Sequence, residues 1–283
     1  MDRDERVLRQ EQIPLHNFRG LHFLPSGLVF ILNKDDPDKV MDRITALGYP
    51  EESCYAVDFD PGFIARLMRA GFLIMSRQIK LDPDDPTLYF IVEPMHHLSR
   101  SFLFFNDLHE KRSARKKLDS YELRVDGLGR DHAPAGIGLG GSLTGDRDMF
   151  NTVIDKCVAI HGADWLTPPL VQAIKALRPS GLSGTSGAGQ QVQPVSFGLY
   201  RDGALKAGEF GTVIGGIYTS YSGYHEEDDA GNAQLILTAR YLRDAGFVFW
   251  DLGMPLPYKE RLGARTLSIT QFLPLWRSAR RLF

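Results

Sequence analysis

Residues 107–117 read Asp-Leu-His-Glu-Lys-Arg-Ser-Ala-Arg-Lys-Lys, the densest basic run of the chain. On a helix Arg112 and Lys116 share one face, as do Lys111 and Arg115, because side chains four apart are neighbours. Cations so arrayed suit a row of phosphates, each neutralised contact adding a salt-sensitive increment. A solvated helix face is the other reading of such a run. Opposite charge gathers at His225-Glu226-Glu227-Asp228-Asp229, which lacks a second histidine at ligand spacing. That leaves a metal poorly specified, and the stretch reads as a solvated loop or as carboxylates that pair with a basic protein N-terminus. Gly136-Ile137-Gly138-Leu139-Gly140-Gly141 invites a phosphate-loop reading, but no Lys-Ser/Thr or clear strand-to-helix setting accompanies it. Residues 127–145 read instead as a flexible insertion. The chain has no Gly-x-Ser-x-Gly elbow, no His-Glu-x-x-His, no Cys-x-x-Cys and no Gly-Lys-Thr loop.

Composition bounds the rest. With 283 residues, 43% apolar and 24% charged, the chain is an ordinary soluble type, able to bury a substantial core in one or two domains. A net charge of −2 draws it to no nucleic acid globally, so such a contact must use a local patch. Two cysteines, Cys54 and Cys157, are too few for a disulfide framework and suit a reduced, cytoplasmic setting. The charged start Asp2-Arg3-Asp4-Glu5-Arg6 does not suit a secretory signal, and no stretch approaches the ~18 unbroken apolar residues of a membrane span.

The elements that must position these groups follow from local signals. Residues 1–20 are polar and mixed, and predict an arm over the body. Leu28–Leu32 predicts a strand, and Val40–Leu47 a helix stopped by Gly48. Asp60 caps a helix with Pro61 at its first position and Gly71 at its end. Leu81–Pro86 reads as a loop and domain boundary, followed by strands at Tyr89–Val92 and Ser101–Phe105, with His96 and His97 on opposite sides of a strand. Phe150–Val158 forms an amphipathic helix, and Thr167 caps a helix over Leu170–Leu177. Pro179–Gln193 is a loop rich in Ser, Gly and Gln. The strand Val195–Tyr200 enters a hairpin through Arg201-Asp202-Gly203, where Asp-Gly tolerates positive φ. Gly215-Gly216 marks a second turn before a strand at Ile217–Tyr221. From Ala233 the period becomes helical up to Gly246, and Phe247–Trp250 reads as a buried strand. Thr266–Ile269 predicts a last strand, and Arg277, Arg280 and Arg281 either extend the basic patch or are solvated.

This order resembles the leucyl/phenylalanyl-tRNA–protein transferases. Their pattern runs Asp-Gly-Glu-Leu-Val-Gly-Gly-Leu-Tyr-Gly, Phe-Gly-Glu-Ser-Met-Phe-Ser, Asp-Ala-Ser-Lys, Gly-Phe, Asp-Cys-Gln and Leu-Gly-Ala. Here stand Asp202-Gly203-Ala204-Leu205, Ala207-Gly208, Phe210-Gly211, Tyr221-Ser222-Gly223-Tyr224, Asp229-Ala230-Gly231-Asn232, Gly246-Phe247, Asp251-Leu252-Gly253 and Leu262-Gly263-Ala264. The basic run matches His-x-Ser-Arg-Ser-x-Arg-Lys through His109, Arg112, Ser113, Arg115 and Lys116, and Asp164-Trp165-Leu166-Thr167-Pro168 matches Thr-Trp-Ile-Thr. The chain departs where the family's Glu before Ser-Met-Phe and the Gln of Asp-Cys-Gln become Tyr221 and Gly253, while Asp251 is kept. It departs again where the family's Gly-Ile-Phe-Pro-Trp tryptophan becomes Met75.

The resemblance implies an α+β fold: a small N-terminal α/β domain at 1–87, then at 88–283 an acyltransferase domain of the GNAT type, with a mixed, mostly antiparallel sheet flanked by helices. It implies transfer of an amino acid such as leucine or phenylalanine from its tRNA to a protein N-terminal α-amine, as an N-degron tag. On that reading Asp251, Tyr221, Gly253 and Ser222 occupy the reaction centre. Trp165, Met75, Tyr224 and Ser220 contact the substrate, and Arg112, Arg115, Lys116 and Lys111 hold tRNA. Partners are aminoacyl-tRNA and a protein or peptide N-terminus. No cofactor, metal or membrane is implied, and the chain is expected to be a monomer. Two other readings stay open: a member that binds tRNA or peptide without transfer, and a coenzyme A-dependent N-acyltransferase. Asp229 opposes the last of these by placing negative charge where pyrophosphate would meet a helix start.

Overall fold

The computed structural model describes residues 5–9, 13–81, 84, 86–110, 112–128, 147–178 and 192–282. Strands β1 (Glu5–Val7), β2 (His16–Phe18), β3 (Leu21–Phe23) and β4 (Val29–Phe30) come first, then helices α1 (Pro37–Ala46) and α2 (Pro61–Ala70). Strands β5 (Leu73–Ile79), β6 (Leu88–Met95) and β7 (Ser99–Leu103) lead to α3 (Arg112–Leu118), β8 (Glu122–Asp126), α4 (Arg147–His161) and α5 (Pro168–Ala176). The chain ends with β9 (Gln193–Arg201), β10 (Ala204–Ile214), β11 (Ile217–His225), α6 (Ala230–Asp244), β12 (Phe249–Gly253), α7 (Pro257–Arg261), β13 (Arg265–Ser268) and α8 (Ile269–Ala279). These residues form two compact units, 1–98 with 161–179, and 99–160 with 180–283. The fold is α+β, dominated by a large, mostly antiparallel sheet flanked by helices. No helix among the described residues is long and apolar enough to cross a membrane.

The first unit holds two three-stranded sheets, β1-β6-β5 and β2-β3-β4. The expected N-terminal arm is partly structured, since β1 runs parallel to β6 and β2 pairs with β3. Helix α2 forms as its caps demand: the Asp60 carboxylate accepts from Phe63 N at 2.8 Å, and Gly71 closes the helix at φ 103°. Phe63, Ile64 and Leu67 bury the inner face. His96 and His97 correct an expectation. β6 stops at Met95, His97 turns to φ 40°, and both imidazoles are buried rather than set on the two sides of a strand.

The second unit is a seven-stranded sheet in the order β13-β7-β12-β11-β10-β9-β8. Every neighbouring pair is antiparallel except β11 and β12. The β9–β10 hairpin turns through Asp202 at φ 52° and Gly203 at φ 76°, as the sequence predicts. Strand alternation sorts the core. Trp250 joins Val195, Phe197, Tyr218, Ala233 and Leu242 under α6. Its neighbour Phe249 points the other way, edge-on to Phe102, which stacks on Phe272 of α8. The strand expected over Thr266–Ile269 ends at Ser268, where α8 begins. The Ser268 hydroxyl and Gln271 side chain form a capping box, and that local signal outweighs Pro274 within the helix. Thr167 marks the start of α5 without a side-chain cap. Its hydroxyl is instead 2.8 Å from that of Ser76.

One ion pair lies at the centre of this sheet. Arg100 of β7 donates Nε to Asp251 Oδ1 at 3.2 Å and Nη2 to Oδ2 at 2.5 Å, with side chains 1% and 0% exposed. Thr219 Oγ1 donates to Oδ2 at 3.1 Å and Gly253 N to Oδ1 at 3.0 Å, so both carboxylate oxygens are bonded. The guanidinium lies over the Phe272 and Trp276 rings of α8. Removing one partner strands the other charge in a dry environment. Arg100→Met is therefore expected to cost about 3–5 kcal/mol in denaturant unfolding, and Arg100→Met with Asp251→Leu much less. Equal losses in the single and double variants would refute this account.

Candidate active-site crevice

β11 and β12 pair in parallel through Ile217↔Phe249, Tyr218↔Trp250 and Thr219↔Asp251, and there the pairing ends. Beyond that point β11 continues against β10 and β12 against β7. The end of the ladder marks a candidate crevice, with Ser220, Tyr221 and Ser222 on the β11 side and Leu252 and Gly253 on the other. Ser220, Tyr221 and Ser222 are each partly exposed.

A bulge fixes which way these side chains point. The β10–β11 register passes from Phe210↔Ser222 to Gly211↔Ser220, so Tyr221 is the extra residue. Ser220 then shares a face with Glu209, while Ser222 and Tyr224 lie on the face that meets α4. Tyr221 stacks on Phe210, ring centroids 6.1 Å apart. Glycine is required at 211, since a Cβ there would fall 2.0 Å from the Thr219 carbonyl oxygen. Ser222 hydrogen-bonds Cys157 of α4, opposing the burial that pushes this thiol up to about 12. Tyr224 is buried, its hydroxyl without a hydrogen bond among the described residues, with Lys156 5.4 Å from the ring centre. Asp251 and Gly253 sit within the ion-pair network, Gly253 at φ 69°.

Sequence reasoning passed over three residues here. Arg100 is paired across 151 positions, a distance no local pattern spans. Lys259 of α7 donates Nζ to the Leu252 and Met254 carbonyls at 2.5 and 2.8 Å. Burial lowers its ammonium from 10.5 to about 8, against the opposing pull of Asp251. Glu209 is the third. It is 5% exposed, accepts from Ser220 Oγ at 3.3 Å through Oε2, and has no hydrogen bond at Oε1 among the described residues. Trp250 Nε1 donates to the same Ser220 oxygen at 2.5 Å. Burial raises the Glu209 carboxyl to about 8, with the Ser220 and Thr238 hydroxyls pulling the other way. The signal was present: in Ala207-Gly208-Glu209-Phe210-Gly211, a lone carboxylate interrupts an apolar strand.

The basic run forms α3 of the same unit. Arg115 donates Nε to Glu110 at 2.9 Å, and Glu110 also receives Arg240 of α6 through two bonds of 2.8 and 2.7 Å. Lys117 pairs with Asp229, while Lys116 is exposed and in no ion pair among the described residues. Arg112 opens the helix with its side chain outside the described residues. Lys111 lies outside them altogether, as do residues 129–145 of the glycine-rich stretch at 127–145 and residues 179–191 of the loop at 179–193. The acidic stretch is latched internally: Glu226 to Lys156, Glu227 to Arg201 and Lys206, Asp229 to Lys117. Arg280 is buried and Arg281 exposed. No group of three or more His, Cys, Asp or Glu that could hold a metal is found among the described residues.

Trp165 and Met75 belong to the first unit, both half-buried. Ser76, next to Met75 on β5, donates N and Oγ to the Trp165 carbonyl at 2.9 and 3.1 Å. This holds the Trp165 backbone beside the strand that carries Met75.

The Glu209 carboxyl makes stability depend on pH. Between its ordinary 4.5 and about 8, the folded chain keeps a proton that the unfolded chain releases. Stability from this group is therefore full at the acid end and lost as pH rises, by up to about 1.4 kcal/mol per unit. Glu209→Gln should match the parent near pH 5 and exceed it near pH 8 in urea unfolding. A constant difference across that range would refute the assignment.

Residues 142–277 match the family model described as leucyl/phenylalanyl-tRNA protein transferase. A leucyl/phenylalanyl-tRNA–protein transferase of Pseudomonas aeruginosa is 29% identical over 190 residues, 66% of this chain and 69% of that one. That of Chromohalobacter salexigens is 27% identical over 194 residues, 68% of this chain and 62% of its own. Among solved structures, FemX is similar at 11% identity and a TM-score of 0.40, over 94% of this chain and 85% of that one, too slight a likeness to support an argument. On the match over residues 142–277 and the curated relatives, the chain is similar to the leucyl/phenylalanyl-tRNA–protein transferases.

Proposed function

We propose that the chain moves an amino acid from aminoacyl-tRNA to the α-amine of a protein N-terminus, in the manner its relatives' name describes. The observation that carries this is the break between β11 and β12, which opens partly exposed polar side chains to a reacting centre. An aminoacyl ester is already activated. The protein has to hold the acceptor end, admit an amine, accept a proton and support an oxyanion. Ser220 and Ser222, both partly exposed, offer hydroxyls on the two faces of β11 beside the break. Asp251, bonded through both oxygens, shapes it by fixing Thr219 and Gly253 rather than by offering a free carboxylate.

The basic helix is read as the tRNA contact, with Arg115 and Lys116 exposed to phosphates and Arg112 and Lys111 beside them in sequence. Trp165 and Met75 are read as part of the amino-acid pocket, and Tyr224 as a buried wall near the acceptor. We read the sheet as the GNAT acyltransferase type, the chain as a cytoplasmic monomer, and the product as an N-degron. Altered specificity is part of this reading, since the tryptophan position of the family pattern is Met75. Tyr221 and Gly253 favour a second reading, binding without transfer, because they stand where the family pattern has Glu and Gln.

Labelled leucyl- and phenylalanyl-tRNA, offered with peptides beginning in Arg, Lys, Asp or Glu, decide between the two. Label should appear in at least one peptide, and charge reversal at Arg115 and Lys116 together should weaken tRNA binding about tenfold or more at low salt. Retention of tRNA with no labelled peptide would select the second reading. Asp251→Ala makes a poor inactive control, since it removes the partner of buried Arg100.

A further inference from the structure

Resting on the transferase reading, we propose that Glu209 accepts the proton shed by the incoming amine, reached through the hydroxyl of Ser220. Ser220 is the outer member, partly exposed at the crevice. Its oxygen accepts the Trp250 indole N–H at 2.5 Å and its proton points to Glu209 Oε2 at 3.3 Å. With one lone pair and the proton engaged, the hydroxyl has one lone pair left for an N–H arriving from the crevice. Glu209 is the inner member, buried, with Oε1 in no hydrogen bond of ordinary geometry among the described residues and the Thr238 hydroxyl nearby. Tyr221, at the position of the family's glutamate, is a phenol with an ordinary pKa of about 10 and is less suited to the task.

The groups facing Glu209 are Tyr218 and Ser220 from β11 and Thr238 from α6, with Cys157 of α4 and Tyr258 of α7 also close enough to be felt. The Tyr218 hydroxyl is raised well above 10 and the Cys157 thiol to about 12, so both stay neutral where Glu209 titrates. A carboxyl raised to about 8 matches an α-amine of about 7.7–8.0, which makes proton exchange between them nearly balanced.

The step balances within the site. The neutral amine nitrogen bonds to the ester carbonyl carbon, and the carbonyl electron pair moves to oxygen. The nitrogen's proton passes to Ser220 Oγ as the Ser220 proton passes to the Glu209 carboxylate. The bond from carbon to the ribose oxygen then breaks, and that oxygen takes the proton back along the same path. Amide and ribose hydroxyl are the products, and Glu209 is ionised again.

The test measures transfer by the full chain, from leucyl-tRNA to an Arg-initiated peptide, between about pH 6 and pH 9. Wild type should speed up through about pH 8. Glu209→Gln keeps shape and hydrogen bonding; its kcat should fall about 100-fold or more with KM for leucyl-tRNA unchanged and the rise with pH flattened. Glu209→Asp should keep the rise at a lower rate, and Ser220→Ala should fall with Glu209→Gln. A wild-type rate and pH profile in Glu209→Gln would overturn the proposal while leaving the transferase reading intact. Absence of transfer by wild type under every acceptor would overturn both. Carbon NMR of the wild-type glutamate carboxyls gives a check independent of any variant's folding, since no titration between pH 6 and 9 would also overturn it.

Discussion

The buried pair of Arg100 and Asp251 is the constraint on which the second unit turns. It ties β7 to β12, and through Thr219 it reaches β11 at the last residue where the two parallel strands pair. A buried ion pair is seldom a large source of stability, because desolvation offsets most of the attraction. Its effect here is geometric. Both carboxylate oxygens are bonded, so β12 cannot slide against β7 or β11 without stranding a charge.

From that fixed point the crevice follows. The ladder stops at Thr219 and Asp251, and the bulge at Tyr221 puts Ser220 and Ser222, two positions apart, on different faces. Ser220 turns toward Trp250 and Glu209, and Ser222 toward Cys157. Gly211 permits the close approach of β10 that the bulge needs. One strand thereby supplies hydroxyls to two distinct environments, one containing a buried carboxyl and the other a buried thiol.

Local chemistry was legible in the sequence wherever a single residue type dictates geometry. Asp202-Gly203 predicts its turn because both residues accept positive φ, and Asp60-Pro61 with Gly71 frames α2 for equally local reasons. Where two local signals compete, one had to be weighed. Pro274 disfavours a helix after Ser268, but Ser268 with Gln271 satisfies the first-turn amides and outweighs it. Long-range partners were out of reach. Nothing near Asp251 in sequence names Arg100, and nothing near Thr167 says that its hydroxyl meets Ser76 instead of capping α5. Glu209 stands between these cases: its oddity in an apolar strand could be read, but its neighbours could not.

The grip of Glu110 on two arginines has a mechanical consequence for α3. Arg240 holds this carboxylate through two short bonds, and Arg115 through one. A phosphate that recruits Arg115 would therefore take the weaker tether and leave the stronger. Exchange of one anion for another would then proceed with the scaffold already in place, so docking a polyanion need not wait for the helix to reorganise.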